Sequence, residues 1–376
     1  MQIYVVIPED TVERIAEKTN SDLETLIYAN QLVYPYSLAI GQAILIPEER
    51  NAQRSIRTNG YAYTYIEPWV LSQTLPYLSV LSVFSYGFTT EGNLVLPPRD
   101  DTWMIEEAKR TGTIPILTLT PLDAEGRFSN YLITAIVENA EARQNLINQV
   151  METVRQKSYG GVDIDFEYIR KEDREGFTAF VAELTDTLHK EGYQLSIALA
   201  PKTSADQKGL LYEGKNYGAL GAIADQVLLM TYEWGYKYGP NMAVAPINKV
   251  RPVVEYALTE IPADKINLGI PNYGYDWPLP FERGVTRART IGNIEAVQIA
   301  IENSAVIQFD EVAQSPYFRY TREGIEHEVW FEDARSMEAK LNLVTEYGLK
   351  GTGWWQLMRF WRAGWIVTDE KFYVEK

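Results

Sequence analysis

The chain has 376 residues, of which 46% are hydrophobic, 23% charged and 12% aromatic, and its formal charge is −16. Its length suggests two or three domains, or one large domain and a small one, and its acidic balance leaves no basic footprint for nucleic acid or an anionic membrane, so a neutral partner such as a carbohydrate is expected. It has no cysteine and only two histidines, His189 and His327, which excludes disulfides, thiolate metal sites and cysteine nucleophiles and argues against a Ser-His-Asp triad or a multi-histidine metal centre.

The N-terminus shows no charged segment followed by an apolar one, so no secretory signal is expected. No apolar run reaches 18 residues, so no transmembrane helix is expected either. Residues 1–48 read as a β-α-α-β module. "QIYVVI" is its first strand. "PEDTVERIAEKT" is a helix capped by Asp10 or Thr11, and "SDLETLIYANQL" a second helix capped by Ser21, with Glu24 completing a capping box. "GQAILIP" is the closing strand. The polar stretch "EERNAQRSIRTN" marks a linker, placed at 49–58.

The blocks "DTVERIA", "LIYANQL" and "GQAILIP", in that order, resemble the LysM domain, which binds glycans containing N-acetylglucosamine. The usual module carries glycine before the aspartate of its first loop; Glu9 stands there in this sequence.

From residue 59 strands and helices alternate. Strand-like runs cover 59–66, 81–89, 113–121, 159–167, 193–201, 225–234, 266–277 and 350–357, with amphipathic stretches such as "NAEARQNLINQVMETVRQKS" between most of them. Eight such pairs predict a (β/α)8 TIM barrel over 59–376. A doubly wound open sheet would need a Gly-rich phosphate turn after its first strand, and "IEPWVL" is not one. Residues 278–334 are too many for one connection. "AVIQFDE", "YFRYT" and "EHEVWFED" predict a small α+β insertion beside the barrel mouth.

The fourth run, "YGGVDIDFEYI", alternates Asp163, Asp165 and Glu167 with Val162, Ile164 and Phe166. Period two denotes a strand, and residues two apart share a face at roughly 6–7 Å. The apolar set faces the helices and the three carboxylates face the lumen, with Glu167 at the C-terminal end, where such barrels place their chemistry. Burying three carboxylates is costly unless they are protonated or hydrogen-bonded. A Mg²⁺ or Ca²⁺ cage and an ion-paired network are the structural alternatives to catalysis. Apart from Lys350, the second to eighth strands carry no lysine or arginine to pair with them. His189 reads as a solvated helix-end cation and His327 as a structural histidine.

"GGVDIDFE" resembles the DxxDxDxE signature of glycoside hydrolase family 18. "LLMTYEW" resembles the family's sixth-strand Met-x-Tyr-Asp element, and "YGLKGTGWWQL" the eighth-strand segment that places a tryptophan under the sugar. Two positions depart from the pattern: Gly160 replaces the first aspartate and Glu233 replaces the sixth-strand aspartate. With "APKTSADQKGLLYEG" and "NYGYDWPLPF", the sequence is similar to the spore branch of the family, whose members join LysM modules to a barrel and degrade spore-cortex peptidoglycan.

The resemblance implies that Glu167 is the general acid, that Asp165 orients the substrate's acetamido group, and that Asp163 shares a proton with Asp165. It implies that Tyr232 donates to the acetamido oxygen, that Glu233 contacts the same sugar, and that Trp355 forms the floor. Its neighbour Trp354 points oppositely, to the helices. Asn272, Tyr273 and Tyr275, and Tyr61, Tyr63 and Tyr86, are further candidates for the sugar site. The resemblance calls for no cofactor or metal; the partner implied is peptidoglycan or a related glycan, the location the spore, and the chain is expected to act as a monomer. A chitinase, a non-catalytic lectin and a structural coat protein are the rival readings.

Overall fold

The structure, a computed structural model, describes residues 1–123 and 125–376. In the N-terminal module, Gln2–Val5 pairs antiparallel with Ala43–Ile46, and the helices Val12–Thr19 and Leu23–Ala29 pack on this ribbon through Val12, Ile15 and Leu26. Thr11 caps the first helix by accepting from the Arg14 amide. The second cap is Asp22, not Ser21, and its carboxylate takes the Thr25 amide at 2.8 Å. The Ser21 hydroxyl is engaged with Thr19, and its amide donates to Ala16 O, closing the first helix behind Asn20 in the left-handed conformation. Glu9 adopts φ +69°, the backbone that glycine supplies in the usual module, at a cost of about 1–2 kcal/mol for a residue with a Cβ.

Eight parallel strands close into a barrel: Ser55–Tyr63, Val80–Phe88, Ile114–Leu119, Gly161–Ile164, Gln194–Leu199, Gln226–Leu229, Ile266–Pro271 and Gly351–Trp355. The first pairs with both the second and the eighth, so no edge remains. Their outward faces meet helices across one apolar core that includes Leu117, Val162, Ile164, Leu195 and Ile197. The inward face holds a second, smaller cluster of Tyr61, Phe84, Ala198 and Leu228. Trp354 faces outward and stacks on Trp365 with ring centroids 3.8 Å apart, whereas Trp355 faces in.

Several expected spans differ, among them the sixth, which ends at Leu229. The first strand begins at Ser55, inside the stretch read as linker, because Tyr373–Val374 pairs alongside Ser55 and Ile56. The run 266–277 is two strands. The barrel strand ends at Pro271, and Gly274–Pro278 turns away into a five-stranded antiparallel sheet with 289–291, 308–310, 315–322 and 325–330. That sheet and the helix Asn293–Glu302 form the α+β insertion. His327 belongs to it, its Nδ1 2.8 Å from Asp276 Oδ1.

The module is packed on the barrel. Gln31 accepts from the Arg362 amide at 2.6 Å and donates to Phe360 O, the Arg362 guanidinium covers the Tyr28 ring at 3.8 Å, and Leu45 joins the barrel's core. Ala39 packs into the insertion's core, beside an Ile307 amide that donates to Ile40 O.

Candidate active site

A cleft of about 560 Å³ opens at the C-terminal ends of the strands. Trp355 lies in it with Phe84, Tyr61 and Tyr63 around its indole at centroid distances of 4.9, 5.8 and 6.0 Å. Asp165, Glu167, Tyr232 and Glu233 line the same cleft. The fourth strand's ladder ends at Ile164, yet the Asp165 amide still donates to Leu119 O at 3.0 Å. The extended path therefore continues, and Glu167 rises past the ladder into the opening. Tyr168 then turns the chain at φ +56°.

Asp163 lies below the cleft. It is fully buried and accepts from Tyr61 OH at 2.9 Å and Ser196 Oγ at 2.5 Å. Burial pushes its carboxyl above the ordinary range, and those two bonds oppose the rise. Each of its oxygens thus accepts one hydrogen bond. Asp165 is buried and its Oδ1 has no partner among the described residues. Burial, followed by the charges of Glu167 and Asp163, drives its carboxyl well above the ordinary range, against an opposing pull from Lys215. Burial likewise raises Glu167, again opposed by Lys215. Tyr232 is raised well above its ordinary value, chiefly by burial, so its hydroxyl keeps its proton and can donate.

Glu233 sits at φ +66°, a conformation that costs a residue with a side chain of the order of 1–3 kcal/mol and clusters at functional sites. Its carboxylate accepts from Tyr273 OH and, at 2.8 Å, from Tyr275 OH. Burial raises its carboxyl and the two tyrosines restrain it. Tyr273 and Tyr275 therefore stand behind Glu233, buried, and do not line the cleft. Asn272 is not a cleft residue either: its Nδ2 donates to Gln356 O at 2.9 Å and Arg359 O at 2.8 Å, pinning the turn that follows Trp355.

Tyr86 is a correction of another kind. Counting by two from Phe84 places it in the lumen, but the register shifts between Val83 and Tyr86 against the third strand. A bulge of this sort turns later side chains to the opposite face. Tyr86 is wholly buried among the helices, where its hydroxyl bonds Asp101 beside Tyr159.

A side chain at Gly160, where the family's first aspartate would stand, requires the Ile114 side chain to move. A Cβ there would lie 2.4 Å from Ile114 Cγ2.

Beside the carboxylates, sequence reasoning missed Ser196 and Lys215. Ser196 could have been found by extending the period-two reading to "YQLSIALAP", which puts it on the lumen face two residues before Ala198. Lys215 could not, because it comes to the fifth strand, beside the carboxylates, from a connection and not from a strand. Tyr168, Tyr212, Met230, Trp234 and Tyr236 complete much of the cleft wall. Among the described residues, no group of three or more acidic or histidine side chains is arranged to hold a metal ion.

A closed parallel barrel with aromatic and acidic side chains at its C-terminal mouth defines a glycoside-hydrolase-type protein. The sequence pattern of Glycosyl hydrolases family 18 matches residues 126–359 and that of the LysM domain residues 4–47. The chain belongs to glycoside hydrolase family 18 and is a glycosidase carrying an N-terminal LysM domain. It is 40% identical to the cortical fragment-lytic enzyme of Bacillus subtilis (strain 168), over 100% of this chain and 99% of that one. It superposes on the crystal structure of the spore cortex-lytic enzyme SleL of Bacillus megaterium QM B1551 with a TM-score of 0.95 at 33% identity, over 100% of this chain and 99% of that one. A chitinase from Chromobacterium violaceum ATCC 12472 shares 25% identity at a TM-score of 0.78, over 84% of this chain and 99% of that one. No helix among the described residues is long and apolar enough to cross a membrane.

Proposed function

We propose that this chain hydrolyses the β-1,4 bond following N-acetylglucosamine in spore-cortex peptidoglycan, by substrate-assisted catalysis with retention. The observation that carries this reading is the pairing, within one aromatic-floored cleft, of Glu167 with its raised proton affinity and Asp165 with an oxygen left unpartnered. The cortex as substrate is supported by the relatives, which are cortical fragment-lytic and spore cortex-lytic enzymes.

Most retaining glycosidases use a second carboxylate as nucleophile, and family 18 uses the substrate itself. Glu167 gives its proton to the glycosidic oxygen as the C1–O bond breaks. The substrate's acetamido oxygen bonds to C1 and forms an oxazolinium ion. Asp165 accepts from the acetamido N–H through its free oxygen and balances the developing positive charge. Tyr232 donates to the acetamido oxygen and holds it near C1, where proximity removes much of the barrier. Water then adds to C1 as the bond from C1 to the acetamido oxygen breaks and Glu167 takes back a proton, with two inversions giving net retention. Trp355 packs against the apolar face of the pyranose and Glu233 hydrogen-bonds the same sugar. Asp163 acts through Tyr61 and Ser196, fixing the strand below.

The LysM domain, on this reading, holds the chain on N-acetylglucosamine-containing glycan and so raises the local substrate concentration, and the protein works in the spore.

Substrate assistance requires a free acetamido carbonyl on the sugar before the scissile bond. N-acetylglucosamine has one; muramic δ-lactam, whose amide is tied into a ring, has none. Digests of cortex reduced with borodeuteride and sequenced by mass spectrometry should end only in reduced N-acetylglucosamine. Fragments ending in reduced muramic acid or muramic lactam would show a lysozyme-like activity instead.

A further inference from the structure

Among the described residues, the cation that acts on the lumen carboxylates is Lys215, and it comes from outside the strands. Lys215 lies between the fifth strand and the helix Tyr217–Ile223. It is 1% exposed, and its Nζ donates to Ala198 O at 3.0 Å. Ala198 follows Ser196, the partner of Asp163, by two residues on the same face. The register that pairs Asp163 with Ser196 and Ile164 with Ile197 puts Ala198 next to Asp165. The ammonium is thus fastened to the strand that flanks the carboxylates, at the level of Asp165.

The connection that carries it is held firmly. Lys202, also 1% exposed, donates from Nζ to the carbonyls of Ala205 and Lys215, both at 3.1 Å. The Lys202 amide donates to Tyr217 OH at 3.0 Å, and that hydroxyl donates to Ala200 O. The same connection brings Leu211 and Tyr212 to the cleft wall. A buried ammonium with a carbonyl as its hydrogen-bond acceptor is costly unless negative charge lies nearby. A residue kept only to fill that space would be better apolar.

The groups that face Lys215 are named by element. The fourth strand contributes Asp163, with Asp165 and Glu167 just past its end, and all three act on Lys215. Tyr61 on the first strand, and Tyr232 and Glu233 after the sixth, interact with those carboxylates rather than with Lys215 itself. Lys202, on its own connection, answers to Arg174, Glu260, Asp206 and Glu213.

We propose that Lys215 is a positioning residue for the hydrolytic reaction: the interior cation, fastened to the neighbouring strand at the level of Asp165, that favours the negative charge on that carboxylate. This rests on the reading of Glu167 as the acid given above. It agrees with the direction in which the Lys215 charge acts, downward on Asp163, Asp165 and Glu167 alike.

The test uses the full chain, with kcat/KM followed against pH on a soluble N-acetylglucosamine oligomer. Removing a nearby cation raises carboxyl proton affinities, so Lys215→Met should move both the acidic and the alkaline limb upward by about one pH unit, while Lys215→Arg, which keeps the charge, should restore the wild-type limbs. Unmoved limbs in Lys215→Met would overturn the proposal. Should that variant fold poorly or lose all turnover, melting temperatures decide. Lys215→Gln retains a donor for Ala198 O, and it should lower the melting temperature less in an Asp165→Asn background than in wild type. Additive effects would refute the coupling. Glu167→Gln in the same assay tests the underlying reading separately: full turnover there removes the acid assignment, and the melting-temperature cycle still judges the Lys215–Asp165 pair.

Discussion

The Tyr232 ring lies so close to Gly269 that a Cβ on that glycine would stand 2.8 Å from Tyr232 Cε1. The same Cβ would lie 2.3 Å from Leu229 O and 2.9 Å from the Thr231 amide nitrogen, so backbone as well as side chain would have to move. Gly269→Ala should cost about 1–3 kcal/mol as overpacking and displace Tyr232 from the cleft. Calorimetry should show the lower melting temperature, and turnover should fall by more than the loss of folded protein explains. Wild-type turnover per folded molecule would refute the placement of Tyr232.

Glu167→Gln should remove nearly all hydrolysis with the fold intact. The amide has the carboxyl's shape but no proton to give, and loss of a general acid typically costs about 10²–10⁴ in rate. Circular dichroism and single-turnover assays on a soluble oligomer check the two halves of this statement. Wild-type turnover in a folded variant would sink the assignment.

Asp165→Asn should make the protein more stable at neutral pH and less active. The folded-state proton affinity of Asp165 is raised, so its contribution to stability is fully present below the unfolded pKa, about 3.9, and is lost as pH rises through the higher folded value. Asparagine cannot ionise and escapes that loss. The melting temperature of the variant minus that of wild type should be positive at pH 7 and shrink as pH falls toward 4. A difference independent of pH would show that Asp165 carries no raised pKa.

Deleting residues 1–50 should lower the barrel's melting temperature without abolishing its fold. The deletion uncovers the surface around Phe360 and Arg362 and removes the Leu45 contact, and apolar burial stabilises by about 25 cal/mol per Å². Hydrolysis of short soluble oligomers should survive, because no cleft-lining residue lies in this region. Sedimentation with insoluble cortex should weaken; an unchanged pull-down would refute the module's role as an anchor.

Much of the barrel and the heart of the site were legible in one line of residues. Asp163, Asp165 and Glu167 could be read because their message is local: strand alternation repeats every two residues, and three carboxylates on one face stand out against an apolar partner set. Trp354 and Trp355 separate for the same reason, one against Trp365 and the other into the cleft. The module's helices were legible through their apolar stripes, but the cap moved from Ser21 to Asp22: the Ser21 hydroxyl is engaged with Thr19, and the Asp22 carboxylate takes the Thr25 amide.

Local patterns by themselves determined the alternation of strands and helices, the acidic face and the module ahead of the barrel. Only the tertiary structure decided what depends on a partner distant in the chain. The bulge that turns Tyr86 toward Asp101 is defined by the strand opposite it. The break at Pro271 that sends Tyr273 and Tyr275 behind Glu233 follows from Gly274–Pro278 pairing with strands of the insertion. Lys215 comes to the level of Asp165, some fifty residues earlier in sequence, because its connection folds back and fastens it to Ala198 O. Periodicity encodes which face a side chain takes within its own element, whereas register, bulges and the reach of a connection are set by packing between elements, where the free energy depends on both partners at once.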